Sequence, residues 1–196
     1  NMTSMSRMFY NSKSLTNIDT SGFDTSKVVN MNGMFWGCNN LKNIDVSSFD
    51  VSKVKNMSLM FNNCSLLEKL DLSNFNTQSL EGSIYLMFGN CSNLISLDLS
   101  SFNTNKVTSM GYMFYNCRKL SNLNVSNFDI SNVTNMEFMF DNCNSLEKLD
   151  LSNFDTNKVT NINYLFFNCS KLKTIYVSNL WSISSVSTSV NMFTSC

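Results

Sequence analysis

Met60-Phe61-Asn62-Asn63-Cys64-Ser65-Leu66-Leu67-Glu68-Lys69-Leu70-Asp71-Leu72-Ser73-Asn74-Phe75 decides the fold, because near-copies of it stand on both sides. The Met-Phe or Leu-Phe pair recurs at 8, 34, 60, 87, 113, 139, 165 and 192, in steps of 26, 26, 27, 26, 26, 26 and 27. A cysteine follows each Phe by three positions, at 38, 64, 91, 117, 143, 169 and 196, and Ser12 takes its place in the first copy. A self-similar period between 20 and 50 residues marks a solenoid or another repeat array. It predicts one elongated domain over residues 1–196, with about seven rungs that each touch mainly their neighbours.

Within a rung, Leu67, Leu70 and Leu72 follow L-x-x-L-x-L, the leucine-rich-repeat strand signature. Leu70 and Leu72 alternate with Lys69, Asp71 and Ser73, so apolar side chains face in and polar ones out. In-register stacking of these strands predicts a parallel sheet on one face. Phe75 closes the strand and points inward, in a column with Phe23, Phe49, Phe102, Phe128 and Phe154 that ends at Leu180. A polar turn such as Asp24-Thr25-Ser26-Lys27 or Asp155-Thr156-Asn157-Lys158 comes next. Met31, Met34, Phe35 and Cys38 then lie at i, i+3, i+4 and i+7, one face of a helix, which predicts one or two helical or 3-10 turns opposite the sheet. The residue before the first seven of these eight positions is Asn or Gly, from Asn11 and Gly37 to Asn168. These are the residues that best tolerate the left-handed conformation ending such a turn. The extra residue of the first 27-residue step falls in Leu80-Glu81-Gly82-Ser83-Ile84, where Gly82 predicts a bulge. The last rung departs from the rhythm over residues 180–186.

The chain has 196 residues, 43% hydrophobic and 14% charged, with a net charge of zero. That balance gives no basic footprint for nucleic acid and no polybasic patch for a membrane surface. No apolar run approaches the roughly 18 residues of a spanning helix. His is absent, which excludes Ser-His-Asp and Cys-His catalysis and any histidine-bearing metal site. Residue types alone leave room for a Ser-Lys or carboxylate-pair site, but no segment departs from the repeat to form a pocket. The reading is therefore non-enzymatic, with no cofactor. Both ends fall partway through a repeat and carry no polar cap, as expected of a piece of a longer array whose ends can stack on other copies.

Met87 to Met110, MFGNCSNLISLDLSSFNTNKVTSM, resembles the BspA-like leucine-rich-repeat surface proteins, in the branch found in mycoplasma lipoproteins and wall-anchored bacterial proteins. The resemblance covers essentially the whole chain. It implies an extracellular, cell-surface solenoid of a bacterium or parasitic protist, associated with adhesion to a host matrix or cell-surface protein or glycan. It offers no catalytic residues. Ser12 for Cys, Asn124 and Tyr176 for Asp, and Leu165 for Met depart from the pattern.

Four features are candidate sites. Asp19, Asp45, Asp71, Asp98 and Asp150, with Asn124 among them, take the central outward position of successive strands. Carboxylates about 4.8 Å apart repel, which raises their pKa unless something compensates. The strip suits a cation or a basic partner; the plainer reading is a solvated polar strip with nearby lysines. Tyr112, Phe138 and Tyr164 precede the Met-Phe or Leu-Phe pair on three successive rungs, and Tyr115, Phe167 and Trp36 follow it. Outward aromatics mark an interface, or else fold over neighbouring rungs and shield the core. The cysteines read as a ladder of free buried thiols, since in-register side chains give poor disulfide torsions and the spacing is one rung rather than C-x-x-C. Asn-x-Ser/Thr triplets such as Asn132-Val133-Thr134 matter only in a eukaryotic source. Two functions follow: a surface module that binds a protein or glycan, favoured by the aromatics, and a structural spacer with no ligand of its own, favoured by the uniform rungs.

Overall fold

The computed structural model describes residues 2–196, and each turn of its chain lies parallel on the one before. Six short strands are regular: β1 Gly82–Ser83, β2 Ser96–Asp98, β3 Val107–Ser109, β4 Asn122–Asn124, β5 Lys148–Asp150 and β6 Thr174–Tyr176. β2 pairs with β4 and β5 with β6, both parallel, with Leu97 opposite Leu123 and Leu149 opposite Ile175. These strands carry the L-x-x-L-x-L signature, and equivalent residues face each other one repeat apart. The protein is a leucine-rich-repeat-like solenoid, as the period predicts.

A second parallel ladder had no place in the sequence reading. It runs through bridges Ser4–Asn30–Asn56, resumes in the β1–β3 pair, and continues Ser109–Asn135–Asn161–Thr188. Asn30, Asn56, Asn135 and Asn161 each accept the backbone N–H two residues on through Oδ1. The side chain thereby turns the backbone out of the ladder. The register of β1 against β3 shifts between Gly82 and Ser83, and Gly82 has φ +71°, so the extra residue is absorbed as the expected bulge.

The expected helical turns are not helices. Among the described residues no helix forms, and Met57 to Cys64 fold as linked turns instead. The N–H groups of Met60, Asn62 and Cys64 bond the carbonyls three residues back. Those of Leu59, Phe61 and Asn63 bond Tyr85, Met87 and Gly89 of the next rung. Half of the amides are thus taken by the neighbouring rung, and an i to i−4 helix cannot run through them. Leu59 and Asn63 have φ of 62° and 59°, each at the third residue of its turn, the signature of type II geometry. Asn or Gly takes the left-handed conformation as expected at Asn11, Gly37, Asn63, Asn90, Asn116, Asn142 and Asn168, and Ser195 before Cys196 takes it too, with φ 63°.

The core is a set of columns along the solenoid. Phe9, Phe35, Phe61, Phe88, Phe114 and Phe140 continue into Phe166 and Phe193, with neighbouring centroids 5.3–5.9 Å apart and planes within 15°. Phe49, Phe75, Phe102, Phe128 and Phe154 form a second buried column. Phe23 at its start is half-buried, and Leu180 at its expected end is exposed. In the irregular last rung Ile183 is also exposed. The expected polar turn also hides an inward position. Thr25, Thr77, Thr104 and Thr156 are buried, in a column with Val51 and Ile130. The Thr77 hydroxyl donates to the Asn103 carbonyl at 3.1 Å and accepts from the Asn103 N–H at 2.7 Å, joining one rung to the next.

All seven cysteines are free, and six are buried. Each thiol donates to the carbonyl of a Phe about one repeat back, as Cys91 does to Phe61 at 3.1 Å and Cys143 to Phe114 at 3.2 Å. Burial pushes the Cys38 thiol up to about 11 and Cys91 to about 12. Only the exposed Cys196 is open to reagent. Titration of the native chain with a chromogenic disulfide at pH 8 is expected to consume one thiol quickly, and all seven once urea is added. Rapid reaction of several native thiols would show that the ladder is not closed.

Candidate functional site

The position before each Met-Phe or Leu-Phe pair is left-handed on every rung. Its occupants Arg7, Gly33, Leu59 and Leu86 have φ of 56°, 59°, 62° and 52°, and Tyr112, Phe138, Tyr164 and Asn191 have 60°, 53°, 55° and 53°. A bulky side chain there is a genuine conformational outlier, costing about 1–3 kcal/mol. Gly or Asn would sit at little cost. Three successive rungs nonetheless carry aromatics. The geometry lifts their rings out of the core and lays them on one another. Tyr112 and Phe138 stack with centroids 4.5 Å apart at 18°, and Phe138 and Tyr164 at 4.4 Å and 9°. Each such pair contributes about 0.5–1.5 kcal/mol, which offsets part of the strain.

Tyr115 meets Tyr112 edge-on at 5.5 Å, and Phe167 meets Tyr164 edge-on at 5.5 Å. Tyr85, which the sequence reading did not single out, tilts onto Tyr112 at 5.3 Å. All but Tyr85 are half-buried, and Tyr85 is exposed. Tyr112, Phe138, Tyr164, Tyr115 and Phe167 therefore pack on one another across neighbouring rungs and stay half-buried at the surface.

Two carboxyls complete the ridge. Asp141 follows the Phe140 pair in the column of Tyr115 and Phe167 and is 4% exposed. Asn142 Nδ2 donates to its Oδ1 at 2.6 Å, yet burial still pushes the carboxyl up to about 6. Glu137, just before Phe138, accepts from the amides of Asn135 and Asn161 at 3.2 and 3.0 Å, which fixes its direction. Desolvation first, then the negative fields of Glu137, Tyr85, Tyr115 and Asp141, raise the Tyr112 phenol to about 12.

Trp36 does not join this ridge. It lies near the start of the solenoid, 4.7 Å from Tyr10, and the Arg7 guanidinium stands 5.7 Å from the Tyr10 ring and 5.6 Å from the Trp36 ring. The aspartate strip lies on the strand face. Asp19, Asp45, Asp71, Asp98 and Asp150 each accept the backbone N–H of the serine two residues on, at 2.9 Å. Those serines, through hydroxyl and backbone N–H, hold the carboxyls below the usual carboxylate range. The expected rise from mutual repulsion is thus overcome by local hydrogen bonds, and each aspartate acts as a turn former. Among the described residues no three acidic or thiol side chains converge to hold a metal.

Among solved structures, a leucine-rich repeat protein of T. pallidum aligns over 72% of this chain and 69% of its own, at 18% identity and a TM-score of 0.42. A leucine-rich cell surface protein of Faecalibacterium prausnitzii aligns over 78% of this chain and 38% of its own, at 21% identity and a TM-score of 0.44. A leucine-rich repeat protein of Bacteroides ovatus aligns over 92% and 62%, at 18% identity and a TM-score of 0.34. A comparison with curated proteins finds no match. The family model described as "Mycoplasma protein of unknown function, DUF285" matches residues 3–96 and 82–196, and the chain belongs to that family.

Proposed function

We propose that this chain is a non-enzymatic module of a cell-surface protein that binds a host protein or glycan through the ridge of Tyr112, Phe138 and Tyr164. The observation that carries the reading is the placement of three large, half-buried rings at left-handed positions where Asn or Gly would be easier. Large aromatics supply contact area at low entropic cost and dominate interface energetics. The spacer reading rests on the uniformity of the other rungs.

The test is binding of the full chain to a panel of matrix proteins and glycans, in calcium and in chelator, beside Tyr112→Asn/Phe138→Asn/Tyr164→Asn. Asparagine relieves the backbone while removing the rings, so the variant is expected to keep the wild-type circular dichroism. Saturable binding that falls at least about tenfold in the variant supports the ridge. Binding that survives the variant but not the chelator moves the site to the aspartate strip. Absence of binding to every panel member, by a folded protein, supports the spacer.

A further inference from the structure

We infer that this chain stacks end to end, the last turn of one copy docking on the first turn of a second. The inference is independent of the ridge and is read without any ligand.

The first argument is a difference in exposure between like positions. Met34, Met60, Met87 and Met113 are fully buried, whereas Met8 in the same column is 40% exposed. Phe193 is 53% exposed, whereas the rings of its column from Phe35 to Phe166 are buried. Leu180 is exposed, and Phe23 at the other end of that column is half-buried. Each end therefore shows the apolar face that the internal rungs cover. A hollow of about 290 Å³ lined by Met2, Met5, Met8 and Phe23 opens at the first turn, and one of about 240 Å³ lined by Leu172, Ile175, Phe193 and Cys196 at the last.

The second argument is the polarity of the backbone, which selects another copy of this fold as the occupant. At internal junctions alternate N–H groups of the linked turns donate to carbonyls of the following rung. Arg7, Phe9 and Asn11 donate to Asn32, Met34 and Trp36, and Tyr164, Phe166 and Asn168 to Val190, Met192 and Thr194. The last turn is left with the N–H groups of Asn191, Phe193 and Ser195, and the first with the carbonyls of Ser6, Met8 and Tyr10, none with a partner among the described residues. A row of donors on one end thus matches a row of acceptors on the other, at the repeat positions that pair internally. Two last turns would set donors against donors, and two first turns acceptors against acceptors. Only head-to-tail contact satisfies both rows.

The third argument is Ser12. Thiols at its repeat position donate to a Phe carbonyl about one repeat back, as Cys38 does to Phe9 and Cys196 to Phe166. The Ser12 hydroxyl has no partner among the described residues. Stacking brings it the equivalent acceptor, the Phe193 carbonyl of the second copy. A contact between unlike faces does not close on a dimer, so it extends to longer stacks.

Sedimentation velocity of the full chain from about 5 to about 500 μM is expected to show a mean mass that rises past that of a dimer. Labelling of Cys196, fast in the dilute monomer, should slow at least about fivefold at the highest concentration, because the docked turn covers it. Met8→Glu blocks the first turn and Phe193→Glu the last, and circular dichroism checks that both variants keep the fold. Each alone is expected to associate at least about tenfold more weakly than wild type. An equimolar mixture should form a one-to-one heterodimer through the two faces left intact. A wild type that stays monomeric throughout overturns the inference. So does a variant that dimerises alone, which would show like ends meeting, and so does a mixture of folded variants no heavier than its components.

Discussion

Phe114→Ala is expected to cost the array about 3–5 kcal/mol and to lower its urea midpoint more than any change on the ridge. Phe114 is fully buried, with rings stacked on both sides, Phe88 at 5.8 Å and Phe140 at 5.6 Å. Its backbone is fixed too: the carbonyl accepts from the Cys117 N–H and the Cys143 thiol, and the N–H donates to Met139. The surrounding rungs therefore cannot collapse into the cavity, which puts the cost at the high end of core truncations. In a solenoid each rung is stabilised mainly by its two neighbours, so a void at a central rung weakens both interfaces. Phe9→Ala removes the same ring from the half-buried first rung, and is expected to lose less than half as much. Urea unfolding followed by circular dichroism reads both. Equal losses at Phe9 and Phe114, or a loss below about 1.5 kcal/mol at Phe114, would show that the column does not carry the stability.

Asp141→Asn is expected to stabilise the protein at neutral pH by up to about 3 kcal/mol. Burial holds the folded carboxyl at about 6 against its usual 3.8, so the ionised form is disfavoured in the folded state. A raised acid pKa works as a penalty at high pH. It is absent below about pH 4, grows as pH rises toward 6, and is complete above that. Asparagine keeps an oxygen for the Asn142 amide and carries no charge. The advantage of the variant should therefore be full at pH 7.5 and vanish at pH 4. The exposed aspartates of the strand face act in the opposite sense. Their depressed pKa values add stability above the usual carboxylate range that is lost in acid, but this is common to both proteins and cancels in the difference. A thermal-melt series from pH 4 to 8 gives the profile. A variant less stable than wild type at pH 7.5 would mean that the carboxylate has a compensating partner.

The parts of this structure legible in the sequence are those that depend on residue type. The phenylalanine columns, the free thiols, Asn or Gly at the left-handed position from Asn11 to Asn168, and the Gly82 bulge all follow from chemistry that few side chains share. The second left-handed position was not legible. Its occupants are Arg, Gly, Leu, Leu, Tyr, Phe, Tyr and Asn, with no property in common, because hydrogen bonds to both sides impose the backbone there. The linked turns were mistaken for helix because spacing at i, i+3, i+4 and i+7 suits both structures, and only the destination of alternate N–H groups separates them. Thr25 and Thr156 read as polar turn residues, although their column-mates Val51 and Ile130 already signal an inward site. For the ridge, the rungs that carry rings were readable, while Tyr85, the burial of Asp141 and the separation of Trp36 depend on which rungs lie next to one another.

The flat stacking of the rungs has a consequence for reach. Seven steps of about 4.8 Å make an array only about 34 Å long, whereas the same 196 residues as one continuous helix would extend about 290 Å. A chain selected to hold something far from a cell would gain much more distance from almost any other arrangement. What coiling delivers instead is breadth: each added 26 residues contributes another set of outward positions beside the last, on a support that the neighbouring rungs keep rigid.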